Sequence, residues 1–533
     1  MSETDLTTPL MSEHKVQNWH VRKPLARGRG GVVATQNRVA GEAGARVLAH
    51  GGNAVDAAVT TAFALSAVEP WNSGLGGVGF MLFYSARDDR VRVVDFGPVS
   101  PAGCAAANYP LVGSGITTRD LFTWPSVKDD RNVHGPHCFV VPGQVDGLGL
   151  ALERFGTLKF GAALQAAIEL ADKGIAVDWF LTLKVATNMQ ELNRYPTTRD
   201  VWLPNGYPPV TAPGAPLGRL KLPRLADTLR TLAAAGRRDL YEGEIAAGIV
   251  KDVRAMGGVL GPEDLRHFKA RIVEPLVTEY HGAALALAPE LTAGPSMRRA
   301  LQGLRHERFR ANGPHADAFL AYARVLRDAY AERLTTMGES AQLAPTSTTH
   351  LNVIDREGNM VALTQTLLSV FGSKVVLPSS GILMNNGIMW FDPRPDSPNC
   401  IAGGKRPLTN MCPVIATREG KPWFAIGASG GRKIFPAVLQ ICSFLIDHQM
   451  YLEDAFHQPR IDASGGETVT YDPLLPSAIR NALAEEFPTE PVELVVYPTN
   501  YACPSAVLHD AASGENYGVT DVMSPWSGAV AEE

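Results

Sequence analysis

The chain has little charge, few cysteines and no long apolar run, and each shortage removes a class of function. Charged residues make up 19% of the 533, the net charge is -5 and the pI is about 6.2. Lys and Arg are scattered, so there is no electrostatic footprint for a nucleic-acid backbone, and nucleic acid is excluded as a partner. The short basic stretch Arg27-Gly28-Arg29 reads as a solvated loop. The six cysteines (Cys104, Cys138, Cys400, Cys412, Cys442, Cys503) lie far apart, with no CxxC or Cys/His spacing. That argues against a zinc site and fits small core residues in a reducing compartment. No metal or cofactor is expected. The most apolar stretch, residues 57–68, is too short to cross a bilayer and is flanked by Asp56 and Glu69. The polar N-terminus lacks the apolar core of a secretory signal. A cytoplasmic protein with a flexible tail over residues 1–30 is expected.

What is present is a layered α/β pattern. A short strand over 32–34 precedes a helix whose apolar positions Ala40, Ala43, Val47 and Leu48 recur at helical spacing until Gly51-Gly52. A second, alanine-rich helix spans 53–68, and strands over 80–84 and 91–96 pair through the polar turn 87–90. Residues 160–336 are mostly helical in pattern, clearest over 162–173, 225–235, 244–256 and 316–334. Beyond residue 348 the texture changes to short strands over 351–354, 361–366, 414–416 and 423–426, with one marked helix over 434–448. Asp355 to Asn359 make the first two a hairpin. Helix-rich and strand-rich halves that share one core predict an α/β sandwich.

Ser347-Thr348-Thr349-His350 opens that hairpin. A threonine hydroxyl needs a base within hydrogen-bond reach, and its own α-amine is one once the preceding peptide bond is cut. That amine has a pKa of roughly 7.7 to 8, against about 10.4 for lysine. By itself the run reads as an ordinary β-branched strand start. Thr366, on the second strand of the hairpin, is placed either to orient the Thr348 hydroxyl or to face solvent. Gly430-Gly431, between a strand and a helix, is either a plain turn or a pair of N–H groups for a developing oxyanion. Lys405-Arg406 and Thr409-Asn410 form either a solvated loop or a contact for an anionic or amide group. Gly74-Leu75-Gly76-Gly77-Val78-Gly79 matches the dinucleotide fingerprint, but a helix precedes it and a strand follows, which is the wrong order for nucleotide.

In order, Gly51-Gly52-Asn53-Ala54-Val55-Asp56-Ala57-Ala58, Gly74-Leu75-Gly76-Gly77, Val141-Pro142-Gly143, Gly257-Gly258 with Glu263-Asp264-Leu265, Thr348-Thr349-His350, Thr364-Gln365-Thr366, Phe371-Gly372, Gly381-Ile382-Leu383-Met384-Asn385-Asn386, Lys405-Arg406-Pro407-Leu408 and Ser429-Gly430-Gly431 resemble the γ-glutamyltranspeptidase family of N-terminal-nucleophile hydrolases. The resemblance implies a four-layer αββα sandwich and self-cleavage between Ser347 and Thr348. It implies a large subunit part, residues 31–347, and a small one, 348–533, that build one core as a heterodimer, with a dimer of heterodimers as a further assembly. Thr348 would be the nucleophile on a small-molecule amide, Thr366 would orient it, Gly430 and Gly431 would hold the oxyanion, and water or an amine would accept the acyl group.

The glutamate grip departs from the family. Gly97-Pro98 stands where the family has an Arg-Glu pair, Gly387-Ile388-Met389-Trp390 replaces its Gln-Met-Asp-Asp, Leu368 replaces an asparagine, and Thr409-Asn410 replaces a serine pair. Losing one partner of a buried charge-assisted pair costs about 2 to 5 kcal/mol. Trp390 and Phe391 are expected to offer aromatic surface instead. The acyl group should therefore lack one or both α-charges, as in the family's cephalosporin-acylase-like and oxamate-hydrolase-like branches. Glutathione hydrolysis with a rearranged grip, or an unprocessed binding subunit, are the alternatives. The linker before Thr348 is shorter than in typical members.

Overall fold

The computed structural model describes residues 21–116, 124–311, 313–337, 346–464, 466–492 and 502–532. Most of the expected tail and the linker before Thr348 lie outside them.

Two seven-stranded sheets, both antiparallel throughout, face each other. One runs in the order Gly528–Ala531, Val32–Thr35, Thr346–Ile354, Met360–Ser369, Val78–Ser85, Arg90–Phe96, Arg271–Val273. The other runs Ala26–Gly28, Glu515–Thr520, Cys503–Asp510, Lys421–Ser429, Val414–Arg418, Ala283–Leu287, Leu276–Tyr280. Helices Arg38–Ala49 and Ala54–Val68 cover the first sheet, and Gly294–Leu304, Ala316–Met337 and Ile434–Ile446 cover the second. This is the expected αββα sandwich. Chain on both sides of residue 348 supplies strands to each sheet, so neither side closes a sheet alone.

The helix Ala54–Val68 shows how local sequence meets packing. The Asn53 side chain accepts from the Val55 and Asp56 N–H groups while Asp56 accepts from the Asn53 N–H at 2.9 Å, a reciprocal capping box. Small side chains let this helix sit with every residue but Val68 buried, so its surface carries no polar stripe. Asp56 also accepts from the Thr157 N–H at 2.7 Å, the Thr157 hydroxyl at 2.7 Å and the Leu158 N–H at 2.9 Å. One buried carboxylate thus joins two helical segments.

Some expectations need correction. Arg27-Gly28-Arg29 is not a solvated loop: Ala26–Gly28 pairs with Asn516 to Gly518 as an edge strand, inside the segment read as a tail. The stretch 160–336, read as mostly helical, contains the strands Arg271–Val273, Leu276–Tyr280 and Ala283–Leu287, which close one edge of each sheet. Short edge strands with small residues carry a weak periodic signal. The helix expected over 162–173 is split into Phe160–Ala163 and Gln165–Lys173.

Asp56→Ala would leave its buried N–H donors unpaired. Hydrogen bonds to a charged acceptor contribute about 1.5–3 kcal/mol each, non-additively, so a loss of about 3 kcal/mol is expected. A lowered urea midpoint with an unchanged slope would show it, whereas a wild-type midpoint would contradict this reading of the cap.

Candidate active site

The strand Thr346–Ile354 and its partner Met360–Ser369 pair Thr349 with Gln365 but Ser347 with Leu368, so the register shifts at Thr348. Two residues, Thr366 and Leu367, lie opposite one. Such bulges re-aim a side chain next to active sites. Here the Thr348 hydroxyl donates to the Thr366 hydroxyl oxygen at 3.2 Å, and that oxygen also accepts from the Leu368 N–H at 2.7 Å. The two hydroxyls share the face that points between the sheets. The strands that carry them pack against the strand Lys421–Ser429 of the opposite sheet. Of Ser347 only the backbone pairing is described.

Opposite stands Lys421–Ser429, which ends in Gly430, at φ 132, where a side chain is strained. A Cβ there would also lie 2.6 Å from the Ala502 Cα. A 3₁₀ turn, Gly431–Lys433, then runs into the helix Ile434–Ile446. The first N–H groups of such an element have no partner within it. The turn approaches the Thr346–Ile354 strand. Burial lowers the pKa values of Arg432 and Lys433 in this turn, opposed by the nearby Asp462.

Beneath the hydroxyl pair sits His350, which had no assigned role in the sequence. Its ring is fully buried against Gly427, with Nδ1 2.8 Å from the Thr364 hydroxyl and Nε2 3.1 Å from the Asn352 side-chain oxygen. Burial pushes its pKa down to about 3, so it is neutral at physiological pH. Glu69, at the end of the helix Ala54–Val68, is the second residue sequence reasoning passed over. Burial pushes its carboxyl up to about 8, opposed by the nearby Lys184 and by a hydrogen bond from Asn72. The Asn72 carbonyl accepts from the Leu367 N–H at 2.9 Å, next to Thr366. A glutamate closing an apolar helix before a glycine-rich loop was the available signal.

The expected substrate residues fare differently. Adding a Cβ at Gly97 would bring it within 2.5 Å of the Phe80 ring, so the arginine's place is filled as well as vacated. Its N–H donates to Asp95, which also binds Arg271 at 2.8 Å and Arg406 at 2.8 Å. Arg406 is thereby committed within the protein. The Thr409 hydroxyl donates to the Leu291 carbonyl at 3.1 Å, and the Asn410 side-chain oxygen accepts from Arg333 at 3.1 Å. Phe80, Pro98, Leu291, Arg406 and Thr409 close on a void of about 10 Å³, about the least that holds one water. Trp390 is 3% exposed and Phe391 0%. Both rings pack inward here and present no open aromatic surface, contrary to the expectation drawn from their place beside the missing glutamate grip. Among the described residues no His, Cys, Asp or Glu cluster is arranged to hold a metal.

Two antiparallel sheets packed face to face between helical layers are the architecture of the N-terminal-nucleophile hydrolases. The gamma-glutamyltranspeptidase family model matches residues 40–347 and 333–522. The chain is 32% identical to the acylase ACY 1 proenzyme of Pseudomonas sp. (strain SE83), with 88% of each chain covered. It is 28% identical to the glutathione hydrolase proenzyme of Bacillus subtilis (strain 168), over 89% of this chain and 88% of that one. The fold is similar to that of cephalosporin acylase from Bacillus halodurans, with a TM-score of 0.83, 23% identity, and 98% of this chain and 100% of that chain covered. The chain belongs to the gamma-glutamyltranspeptidase family, and it is an enzyme.

His350 sets a pH dependence of stability. Between about 3 and the ordinary value near 6.5, the unfolded chain binds a proton that the folded one does not. Its contribution is therefore complete above about 6.5 and is lost as pH falls toward 3. His350→Gln should flatten the decline of the urea midpoint between pH 6.5 and 4.5, by at most about 1.4 kcal/mol per pH unit. Equal slopes in variant and wild type would refute the buried neutral imidazole.

Proposed function

We propose that the chain is a self-processing amidase that works through an N-terminal threonine. The observation that carries this is the Thr348–Thr366 hydroxyl pair, 3.2 Å apart at a register break facing the glycine turn. Cleavage between Ser347 and Thr348 frees the α-amine, which accepts the Thr348 hydroxyl proton as Oγ attacks the amide carbonyl. Thr366 holds Oγ in line, and the Gly430 and Gly431 N–H groups carry the oxyanion. The amine then returns the proton to the leaving amine, and water or another amine releases the acyl group from the ester. Residues up to 347 and from 348 onward become the two subunits, consistent with relatives that are named proenzymes.

The acyl group, on this reading, is not γ-glutamyl. The Phe80 ring against Gly97, the closed void by Thr409 and the commitment of Arg406 to Asp95 support an acyl pocket without a grip for an α-amino acid. The resemblance to an acylase and to a cephalosporin acylase supports the same reading. All six cysteines are free, which supports a reducing cytoplasmic compartment. No helix among the described residues is long and apolar enough to cross a membrane. We further propose the dimer of heterodimers as the assembly.

Mass spectrometry of the purified protein should show two fragments that meet between Ser347 and Thr348, and Thr348→Ala should give one intact, inactive chain. A wild-type chain that stays whole on incubation would instead mark a binding subunit. Thr366→Val should lower kcat by roughly a hundredfold, the scale of a misplaced reacting group. In steady-state assays the processed enzyme should turn over a glutaryl anilide faster than its γ-glutamyl counterpart. Preference for the γ-glutamyl compound would favour glutathione hydrolysis.

A further inference from the structure

Oxyanion donors act by being fixed in advance relative to the attacking atom, and here the glycine turn and Thr348 belong to different sheets. Strand register shows what joins them. Asn352 pairs with Ala34, so Ala34 and, two residues on, Gln36 face the same side as Asn352, His350 and Thr348. On the opposite sheet a Cβ at Gly427 would fall 2.3 Å from the His350 Cε1, so Gly427 and, two residues on, Ser429 face back toward them. Side chains therefore cross between the layers in a row. Asn352 donates to the Ser505 carbonyl at 2.7 Å and the Ser505 hydroxyl at 3.1 Å, His350 packs on Gly427, and Gln36 reaches Ser429.

The Gln36 contact stands next to the turn. Its amide nitrogen donates to the Ser429 hydroxyl and to the Cys503 carbonyl at 3.4 Å, and Ser429 and Cys503 pair across adjacent strands. Gln36 is 4% exposed and Ser429 7%, so the bond forms away from water, where it is electrostatically stronger. Among the described residues no other hydrogen bond reaches the Ser429 hydroxyl. Gly430 follows Ser429 directly and lies against Ala502, the residue before Cys503. Gln36 is itself held. Its carbonyl accepts from the Ser524 hydroxyl at 3.3 Å, and the Arg38 N–H donates to the Trp526 carbonyl at 2.8 Å. One amide thus fastens the end of the strand that carries the turn, and its neighbour, to the nucleophile's sheet.

We infer that Gln36 is a positioning residue for the oxyanion turn, which it holds at its distance from the Thr348 hydroxyl through Ser429 and Cys503. The inference rests on the reading of Thr348 as nucleophile and of Gly430 and Gly431 as oxyanion donors. Gln36 precedes residue 347 and Ser429 follows it, so after cleavage the same bond joins the two subunits.

Gln36→Leu keeps much of the bulk and removes the amide. On the processed enzyme with a glutaryl anilide it should lower kcat about tenfold at unchanged KM, because the oxyanion exists only beyond the ground state. 4-Boronobutanoate, whose boron becomes tetrahedral on the Thr348 hydroxyl and places an oxygen in the oxyanion site, should bind about tenfold more weakly. Ser429→Ala removes the same bond and should lower kcat about fivefold, and the double variant should be no worse than Gln36→Leu alone. Unchanged kcat in folded Gln36→Leu, a loss carried by KM with boronate binding intact, or additive effects of the two substitutions would overturn the assignment. Thr348→Ala, assayed alongside, separates two failures. Activity there overturns the threonine reading and this inference with it, whereas an inactive Thr348→Ala beside an undiminished Gln36→Leu overturns this inference alone. If Gln36→Leu fails to fold or to be cleaved, Ser429→Ala decides, and an unchanged kcat with unchanged boronate affinity there refutes the role of Gln36.

Discussion

The pairing of Thr346–Ile354 with Met360–Ser369 is the interaction on which the rest of the site depends. Its regular register runs from Ile354 with Met360 to Thr349 with Gln365, then slips by one so that Ser347 pairs with Leu368. The two hydroxyls meet where the regular pairing ends, while the flanking strands Val32–Thr35 and Val78–Ser85 hold the two strands from either side.

The slip continues into a stretch of unusual backbone. Leu368 at φ 84, Phe371 at φ 60 and Lys374 at φ 65 adopt the left-handed region without being glycine. Such conformations persist only where the surroundings over-determine them. Here the Leu368 N–H bonds Thr366, the Phe371 N–H bonds the Trp71 carbonyl at 2.8 Å, and the Lys374 ammonium bonds Asn188 at 3.2 Å and the Val370 carbonyl. Around the pair, groups that would carry charge in water are kept neutral or nearly so: His350 at about 3 and Glu69 at about 8, both through burial. At the glycine turn, burial lowers the pKa values of Arg432 and Lys433, opposed by the nearby Asp462.

Much of this was legible because it is written locally. The helix Ala54–Val68 announces itself by Asn53, Asp56 and an alanine-rich face, and the hairpin by Asp355 to Asn359 between two β-branched runs. The strands Leu276–Tyr280 and Ala283–Leu287 were not legible. They are five residues each, and their identity as strands comes from pairing with each other and with Val414–Arg418, far along the chain. Trp390 and Phe391 show the same limit for a site. Their aromatic character was plain, but burial is a property of neighbours contributed by other segments.

By itself, the sequence determined the threonine at 348, its partner at 366, the glycine turn and the order of the elements that carry them, since these depend on residue type and short spacing. It also placed Gly97-Pro98 where the family resemblance implies an Arg-Glu pair. Only the tertiary structure decided that Phe80 fills the space beside Gly97, that Asp95 captures Arg406, and that burial moves the pKa of His350 down to about 3 and that of Glu69 up to about 8. Each of those outcomes is a contact or a loss of water between residues distant in the chain, and neither is encoded in any local window of sequence.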